Sequence, residues 1–115
     1  MEEIKIIRGD TATLAFPITN KTGQGILLSD IDTLILTCRN KYYEMLFNKN
    51  KEDFRFEDNK CKVDLNPEDT EQINCSNPIY FDIEVTLKNG TRKSKLCELK
   101  LMKDYTTHGG DENGN

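Results

Sequence analysis

The clearest pattern in the chain is the alternation of apolar and polar residues over IYFDIEVTL, from Ile79 to Leu87. Successive side chains of an extended strand point to opposite faces. The apolar and polar residues then separate onto two faces, one with Phe81, Ile83, Val85 and Leu87 and the other with Tyr80, Asp82, Glu84 and Thr86. This period predicts a strand with one buried face, and we expect the rest of the chain to pack against it.

Further strand patterns cover residues 3–7, 11–19, 33–39, 41–47, 54–57, 60–65 and 91–102. In the segment 11–19, Leu14, Phe16 and Ile18 share the inward face. Pro17 points outward and cannot donate to a ladder, which is typical of an edge strand or of a strand that changes sheet. The segment 33–39 has strong β propensity and is expected to be central. The segment 41–47 fits neither period cleanly, and we assign it to a strand after a bend.

The segment 91–102 is predicted to return antiparallel to 79–87. Asn89-Gly90 between the two predicts a two-residue type I′ turn, which needs positive φ at both positions. We assign the core side of this last strand to Cys97, Leu99 and Leu101. We assign the opposite side to its polar residues, Arg92, Lys93, Lys95, Glu98 and Lys100.

Two short segments predict corners of the fold. Arg8-Gly9-Asp10 follows the first strand, and we interpret it as a turn or bulge and not as an integrin-binding tripeptide. Asn66 is placed to cap a single helical turn near 67–71, because Pro67 suits the first helical position and the acidic residues after it favour the positive end of the helix dipole. The segment 29–32 is expected to cross between sheets.

Composition limits the possible classes of protein. The chain has 115 residues, 36% of them hydrophobic, which suits one thin two-layer core. We predict one domain over residues 1–103 and a flexible tail over 104–115, which are rich in Gly and polar residues. The net charge of −4 is spread along the chain, so nucleic acid is not an expected partner.

Neither a membrane span nor a signal peptide is expected. No apolar run approaches the roughly 20 residues that cross a bilayer, and the N-terminus MEEIKII is acidic. We therefore expect the protein to remain in the cytoplasm where it is made until it is carried out. The cysteines form no CxxC pair, so we predict free thiols without a zinc site, and small core side chains at Cys61 and Cys97. The other two are Cys38 and Cys75.

No catalytic, cofactor-binding or metal-binding residue is predicted. The one histidine, His108, lies in the predicted tail without an obvious partner for acid–base or nucleophilic chemistry. Asp30 and Asp32 lack the dense Asp/Asn/Gly loop of a calcium site and are assigned to turns. We expect no enzyme activity, no cofactor and no small-molecule substrate.

Three segments in order resemble a class of small structural proteins of tailed phages. They are IRGDTATLAFPIT at 7–19, LNPEDTEQI at 65–73 and IYFDIEVTLKNGT at 79–91. The class is similar to the immunoglobulin-like module at the N-terminus of phage baseplate upper proteins. The resemblance implies an all-β, immunoglobulin-like sandwich of about seven antiparallel strands. Asn77-Pro78-Ile79 departs from the class, in which a Gly usually precedes the Tyr.

The role that this resemblance implies is a non-enzymatic virion component in the baseplate, the neck or the capsid surface. It would bind other virion proteins, including copies of itself in a symmetric oligomer, and the short first strand offers an open edge for such pairing. Two alternatives remain open from the sequence. One is a small phage-encoded inhibitor of a host defence protein, and the other is a secreted carbohydrate-binding module, for which Tyr42 and Tyr43 are the only adjacent pair of tyrosines.

Overall fold

The computed structural model describes residues 3–74 and 78–102. The helical elements are a single turn, α1 (Pro67–Thr70), and two 3₁₀ turns, Leu28–Asp30 and Lys51–Asp53. The strands are β1 (Glu3–Ile7), β2 (Ala12–Phe16), β3 (Ile31–Asn40), β4 (Met45–Lys49), β5 (Phe54–Glu57), β6 (Lys60–Leu65), β7 (Ile79–Leu87) and β8 (Arg92–Met102). Cys75, His108 and the predicted tail lie outside the described residues.

The strands form two sheets, in the orders β1-β8-β7-β3-β4 and β2-β6-β5. Apart from β1, this is the arrangement of a variable-type immunoglobulin domain, in which strands G, F, C and C′ face strands B, E and D. The expected all-β, immunoglobulin-like sandwich is therefore confirmed. It has eight strands, and β1 pairs with β8 in parallel, whereas the other neighbours are antiparallel.

The two sheets enclose one core, and the predicted strand faces line it. Phe81 is fully buried, and Ile83 and Val85 are each 5% exposed. They belong to the same buried cluster as Leu14 and Phe16 of the opposite sheet. Strand β7, which has the clearest alternation in the sequence, is the middle strand of the larger sheet. Strand β3 beside it is interior, as predicted. Strand β2 is an edge strand, as Pro17 indicated.

Three cysteines contribute small side chains to this core. Cys38, Cys61 and Cys97 are all buried, which confirms the interpretation of Cys61 and Cys97 as core residues. Burial, with a smaller contribution from Asp69, raises the pKa of the Cys38 thiol to about 12. Antibody domains join the strands equivalent to β2 and β7 by a disulfide, but here neither strand contains a cysteine.

The two predicted corners contact each other. The backbone N–H of Gly9 donates to the buried hydroxyl of Thr70 at 2.9 Å, and the Arg8 guanidinium donates to the carbonyl of Ile73 at 3.3 Å. In α1, the Asp69 carboxylate accepts from the backbone N–H of Asn66 at 2.7 Å. The predicted turn at Arg8-Gly9-Asp10 is thus a structural junction between β1 and β2, bonded to the helical corner.

The β7–β8 hairpin is present, but its predicted two-residue turn is wrong. Gly90 has a φ of +92°, whereas Asn89 does not adopt positive φ. The Leu87 N–H donates to the Thr91 carbonyl, so the loop contains three residues and ends with Gly90 in the left-handed region. This is the other common hairpin loop. The type I′ geometry occurs instead between β5 and β6, at Asp58 and Asn59.

The assignment of Lys93 and Lys95 to the polar side of β8 is also wrong. Lys93 pairs with Val85 and Lys95 pairs with Ile83, and directly opposed residues of a sheet share a face. Both lysines therefore lie on the side of Cys97, where the larger sheet faces the smaller one. On the inner face of β8 the buried apolar positions run from Leu101 to Cys97, and the face is basic beyond them, at Lys95 and Lys93.

Candidate interaction surface

An exposed group of apolar and aromatic side chains lies on the β3–β4 hairpin. Its members are 72%, 67%, 58% and 38% exposed, in the order Tyr42, Tyr43, Met45 and Leu46. We call these four residues the hairpin surface. Large side chains grouped in this way on a small domain mark an interaction site more often than scattered single ones do. Aromatic residues and methionine are also the residues enriched at protein interfaces.

A polar side chain at the base of the loop holds the hairpin surface in place. The Asn40 Oδ1 atom accepts from the backbone N–H groups of Tyr42 at 2.9 Å and Glu44 at 3.0 Å. Its Nδ2 atom donates to the Glu44 carboxylate at 2.7 Å. The backbone N–H of Asn40 also donates to the carbonyl of Glu44 at 3.0 Å, so side-chain and backbone hydrogen bonds together close the loop. The two tyrosines therefore project from an ordered turn.

Tyr43 occupies a backbone conformation that suits glycine. Its φ is +69°, in the left-handed region, at the loop position that Gly90 takes in the β7–β8 hairpin. A side chain there costs roughly 1–2 kcal/mol. Nearby, the buried Nε atom of Arg39 has no hydrogen-bond partner among the described residues. Such local costs concentrate at functional sites, and here they flank an exposed aromatic ring.

Two cations lie against the tyrosine rings. The Arg39 guanidinium is 5.2 Å from the centroid of Tyr43, and its Nη1 atom donates to the Tyr43 carbonyl at 3.2 Å. The Lys41 ammonium is 5.2 Å from the centroid of Tyr42. Cation–π contacts at exposed sites contribute about 0.5–1 kcal/mol each. The hairpin surface therefore offers aromatic rings together with positive charge.

The hairpin surface is also the free edge of the larger sheet. Strand β4 is the last in its order, and its pairing with β3 shifts between Cys38 and Arg39 so that Leu46 is the extra residue of a bulge. Further along the strand, the ring of Phe47 packs edge-on against Phe81, with centroids 6.1 Å apart. The edge is thus fixed to the core while Met45 and Leu46 face outward.

A depression of about 390 Å³ continues this surface toward the helical corner. Leu46 lines one side, and Glu68, Gln72 and Ile73 line the other. The bridge between Lys49 and Asp69, at 2.9 Å and largely shielded from solvent, connects the end of β4 to α1 beside it. A partner seated on the hairpin surface would reach this acidic corner as well.

The outer face of the smaller sheet is different, because paired charges cover it. The Asp64 carboxylate accepts from the Thr13 hydroxyl at 2.7 Å and from Arg55 at 3.0 Å, and these bonds lower the pKa of Asp64. A hydrogen bond from Lys62 lowers the pKa of Asp58, and the same bond raises the pKa of Lys62. Such exposed networks suit contact with water.

Chemistry of other kinds has little support within residues 3–74 and 78–102. There, no three His, Cys, Asp or Glu side chains are grouped to hold a metal ion. The same part of the chain contains no helix that is long and apolar enough to span a membrane. The prediction that there is no catalytic, metal or cofactor residue stays a prediction.

The hairpin surface was not predicted as a site, although one signal was present in the sequence. Tyr42 and Tyr43 are adjacent in a segment whose apolar residues fit neither the helix nor the strand period. That misfit has a structural cause, because residues 41–44 form the turn and β4 begins only at Met45. The two tyrosine side chains of this turn do not reach the core and remain exposed.

Comparison with known proteins gives structural neighbours only. No family model and no curated protein matches the sequence. The chain is similar in structure to the first Ig-like domain of human CD48 antigen, with 12% identity and a TM-score of 0.43 over 99% of this chain and 92% of that one. It is also similar to murine CRIg, with 7% identity and a TM-score of 0.42 over 90% of this chain and 94% of that one.

Proposed function

We propose that this chain is a non-enzymatic protein-binding module that acts through its hairpin surface. The observation that carries the proposal is the exposure of Tyr42, Tyr43, Met45 and Leu46 on an ordered sheet edge. Tyrosine supplies a large contact area at low entropic cost, and methionine adapts to irregular surfaces. The left-handed Tyr43 supports a binding role, because a glycine there would make a more relaxed turn.

We further propose that the partners are other proteins of a tailed-phage particle. The resemblance of three sequence segments to small phage structural proteins supports this assignment. In the assembled particle the protein would be a component of the baseplate, the neck or the capsid surface. Many copies of a modest interface would suffice there, because simultaneous contacts raise the effective concentration of each one.

The edges of the larger sheet also support an assembly role. Strands β1 and β4 are the terminal strands of that sheet, so each has one side free of pairing within the described chain. Exposed backbone donors and acceptors on an edge strand can pair with a neighbouring chain. A subunit with one open edge at β4 and another at β1 can contact two neighbours, as a ring or a symmetric oligomer requires.

The test is the protein composition of purified particles of the phage that encodes the chain. We expect a stoichiometric band of 13.2 kDa for the wild type and a strong reduction for the double variant Tyr42→Ser and Met45→Ser. The matched control is the double variant Lys21→Ser and Lys60→Ser, which alters two exposed residues away from the hairpin and should be incorporated normally.

Two results would contradict the proposal. If the protein is found in the cytoplasm of infected cells and not in particles, the assignment to the virion is wrong and the inhibitor hypothesis gains. If the hairpin variant is incorporated to the same extent as the control variant, the chain is a virion component but binds through another surface. Circular dichroism of both variants checks that a loss of incorporation does not follow from unfolding.

A further inference from the structure

A second surface lies between the two sheets, at the far end of β7 from the hairpin surface. It is an open groove of about 240 Å³. Ile83 and Val85 of β7 line one wall, and Phe16 at the end of β2 and Ile18 just after it line the other. The sandwich is not closed here, because no described strand covers the gap between β2 and β8.

The groove has a basic rim, since the inner face of β8 changes character along its length. Leu101, Leu99 and Cys97 are at most 5% exposed, whereas Lys95 and Lys93 on the same face are exposed and line the groove. An apolar floor beside ammonium groups favours a ligand that combines apolar side chains with negative charge. This charge complementarity distinguishes the groove from a simple packing gap.

Among the described residues, the backbone of β8 has an unpaired edge along the same groove. Pairing with β1 begins at Glu98, and no described residue pairs with this edge over 92–96. The Leu87 N–H bonds to the Thr91 carbonyl, so in an antiparallel ladder the backbone groups of alternate residues from Thr91 face β7. Those of Ser94 and Leu96 therefore point toward the open edge, where an added strand could bond to them.

We propose that an extended segment of a partner protein, with both apolar and acidic residues on its inward face, adds to β8 at this position. It would run parallel to β8 in line with β1, place its inward apolar side chains in the groove lined by Ile83 and Val85, and place an inward carboxylate beside Lys93, which shares that face. Strand addition of this kind takes affinity from backbone hydrogen bonds and specificity from the side-chain pockets. The groove is separate from the hairpin surface, so either assignment can fail without the other.

The test is a titration of the ¹⁵N-labelled full chain with the end-blocked peptide Thr-Val-Thr-Glu-Thr-Val-Thr, whose Val and Glu side chains share one strand face, followed by amide shifts and hydrogen exchange. We expect saturable shifts along 92–96 and increased protection of the Ser94 and Leu96 amides. Lys93→Glu should weaken binding about tenfold, because repulsion replaces attraction at the rim. Lys100→Glu, on the other face of the same strand, is the matched control and should bind as the wild type does.

Several outcomes would overturn the proposal. One is equal binding of the peptide in which lysine replaces glutamate, or equal weakening by both charge variants. Shifts without new protection at Ser94 and Leu96 would indicate a small amphiphile site and no added strand. If the same amides shift with protein concentration in the absence of peptide, the occupant is a second copy of this chain and the acidic partner segment is excluded.

Discussion

The backbone N–H of Gly9 donates to the Thr70 hydroxyl at 2.9 Å, which joins two sequence segments separated by about half of the chain. Gly9 belongs to the Arg-Gly-Asp-Thr segment after β1, and Thr70 ends the Pro-Glu-Asp-Thr turn of α1. The segments that carry the resemblance to phage proteins therefore contact each other as parts of the scaffold. Their residues stabilise the fold, and the hairpin surface lies outside them.

Thr70→Val should destabilise the protein by about 1–3 kcal/mol, because a similar volume is kept while a half-buried donor loses its acceptor. Hydrogen exchange at the Gly9 amide reports the bond directly. Exchange should accelerate in Thr70→Val and remain slow in Thr70→Ser, which keeps the hydroxyl. Equal protection of Gly9 in both variants would mean that this hydrogen bond does not hold the corner.

Tyr43→Gly should stabilise the folded chain. Relief of the left-handed strain contributes roughly 1–2 kcal/mol, and loss of the contact with Arg39 removes about 0.5–1 kcal/mol. The net gain of about 1 kcal/mol is measurable by urea unfolding. Gly90→Ala is the converse control, since it introduces a side chain at the same loop position of the other hairpin and should destabilise. A loss of stability in Tyr43→Gly would contradict the strain argument.

Gly25→Ala should be destabilising by about 1–3 kcal/mol through overpacking. A Cβ atom at Gly25 would lie 2.5 Å from the carbonyl oxygen of Asn59, too close for any real contact. The Asn59 side chain also accepts from the Gly25 N–H at 2.8 Å, so the loop cannot move away without breaking that bond. Thermal unfolding compares it with Gly23→Ala, where a Cβ meets nothing within 4 Å and only backbone strain is added.

Acid should weaken the folded state through Asp64 and Asp58. Hydrogen bonds lower the folded-state pKa of both carboxyls below the ordinary value of 3.8. Their contribution to stability is therefore complete above that value and is lost as the pH falls through the lowered folded-state pKa. The Thr13 hydroxyl contributes most to the lowered pKa of Asp64, so Thr13→Val should raise that pKa in an NMR titration. The pKa of Asp58 in the same sample should not change.

The Cys38 thiol should resist alkylation in the folded protein. With a pKa of about 12, only about one thiol in ten thousand is ionised at pH 8, and the side chain is fully buried. Mass spectrometry after iodoacetamide treatment should find the peptide of Cys38 unmodified in buffer and modified in concentrated urea. Rapid labelling without denaturant would show that this part of the core opens easily.

The sequence predicted the strand faces well because burial on one side imposes a period of two. Phe81, Ile83 and Val85 were placed inward, with Leu14 and Phe16 from the opposite sheet, and all five are buried. The helical turn at Pro67 followed from capping chemistry alone. These features depend on neighbours in sequence, so local patterns were sufficient.

Features that depend on distant partners could not be read in this way. No local pattern indicates that β1 pairs in parallel with β8, since those strands are the first and the last strand along the described sequence. The hairpin at Asn89-Gly90 forms as predicted, but its loop has three residues because the hydrogen bond that closes it joins Leu87 and Thr91. The hairpin surface could not be predicted from the strand period, because hydrogen bonds to Asn40 hold Tyr42 and Tyr43 in a turn that exposes both rings to solvent.

The hairpin surface is expected to contact a protein partner. A photo-crosslinking benzoylphenylalanine at Tyr42, with the same residue at Lys60 on the other sheet as control, tests it in assembling phage particles. We predict a defined crosslinked product to another virion protein from position 42 and none from position 60. Crosslinks from position 60 alone, or none from either position in particles that contain the protein, would contradict the account.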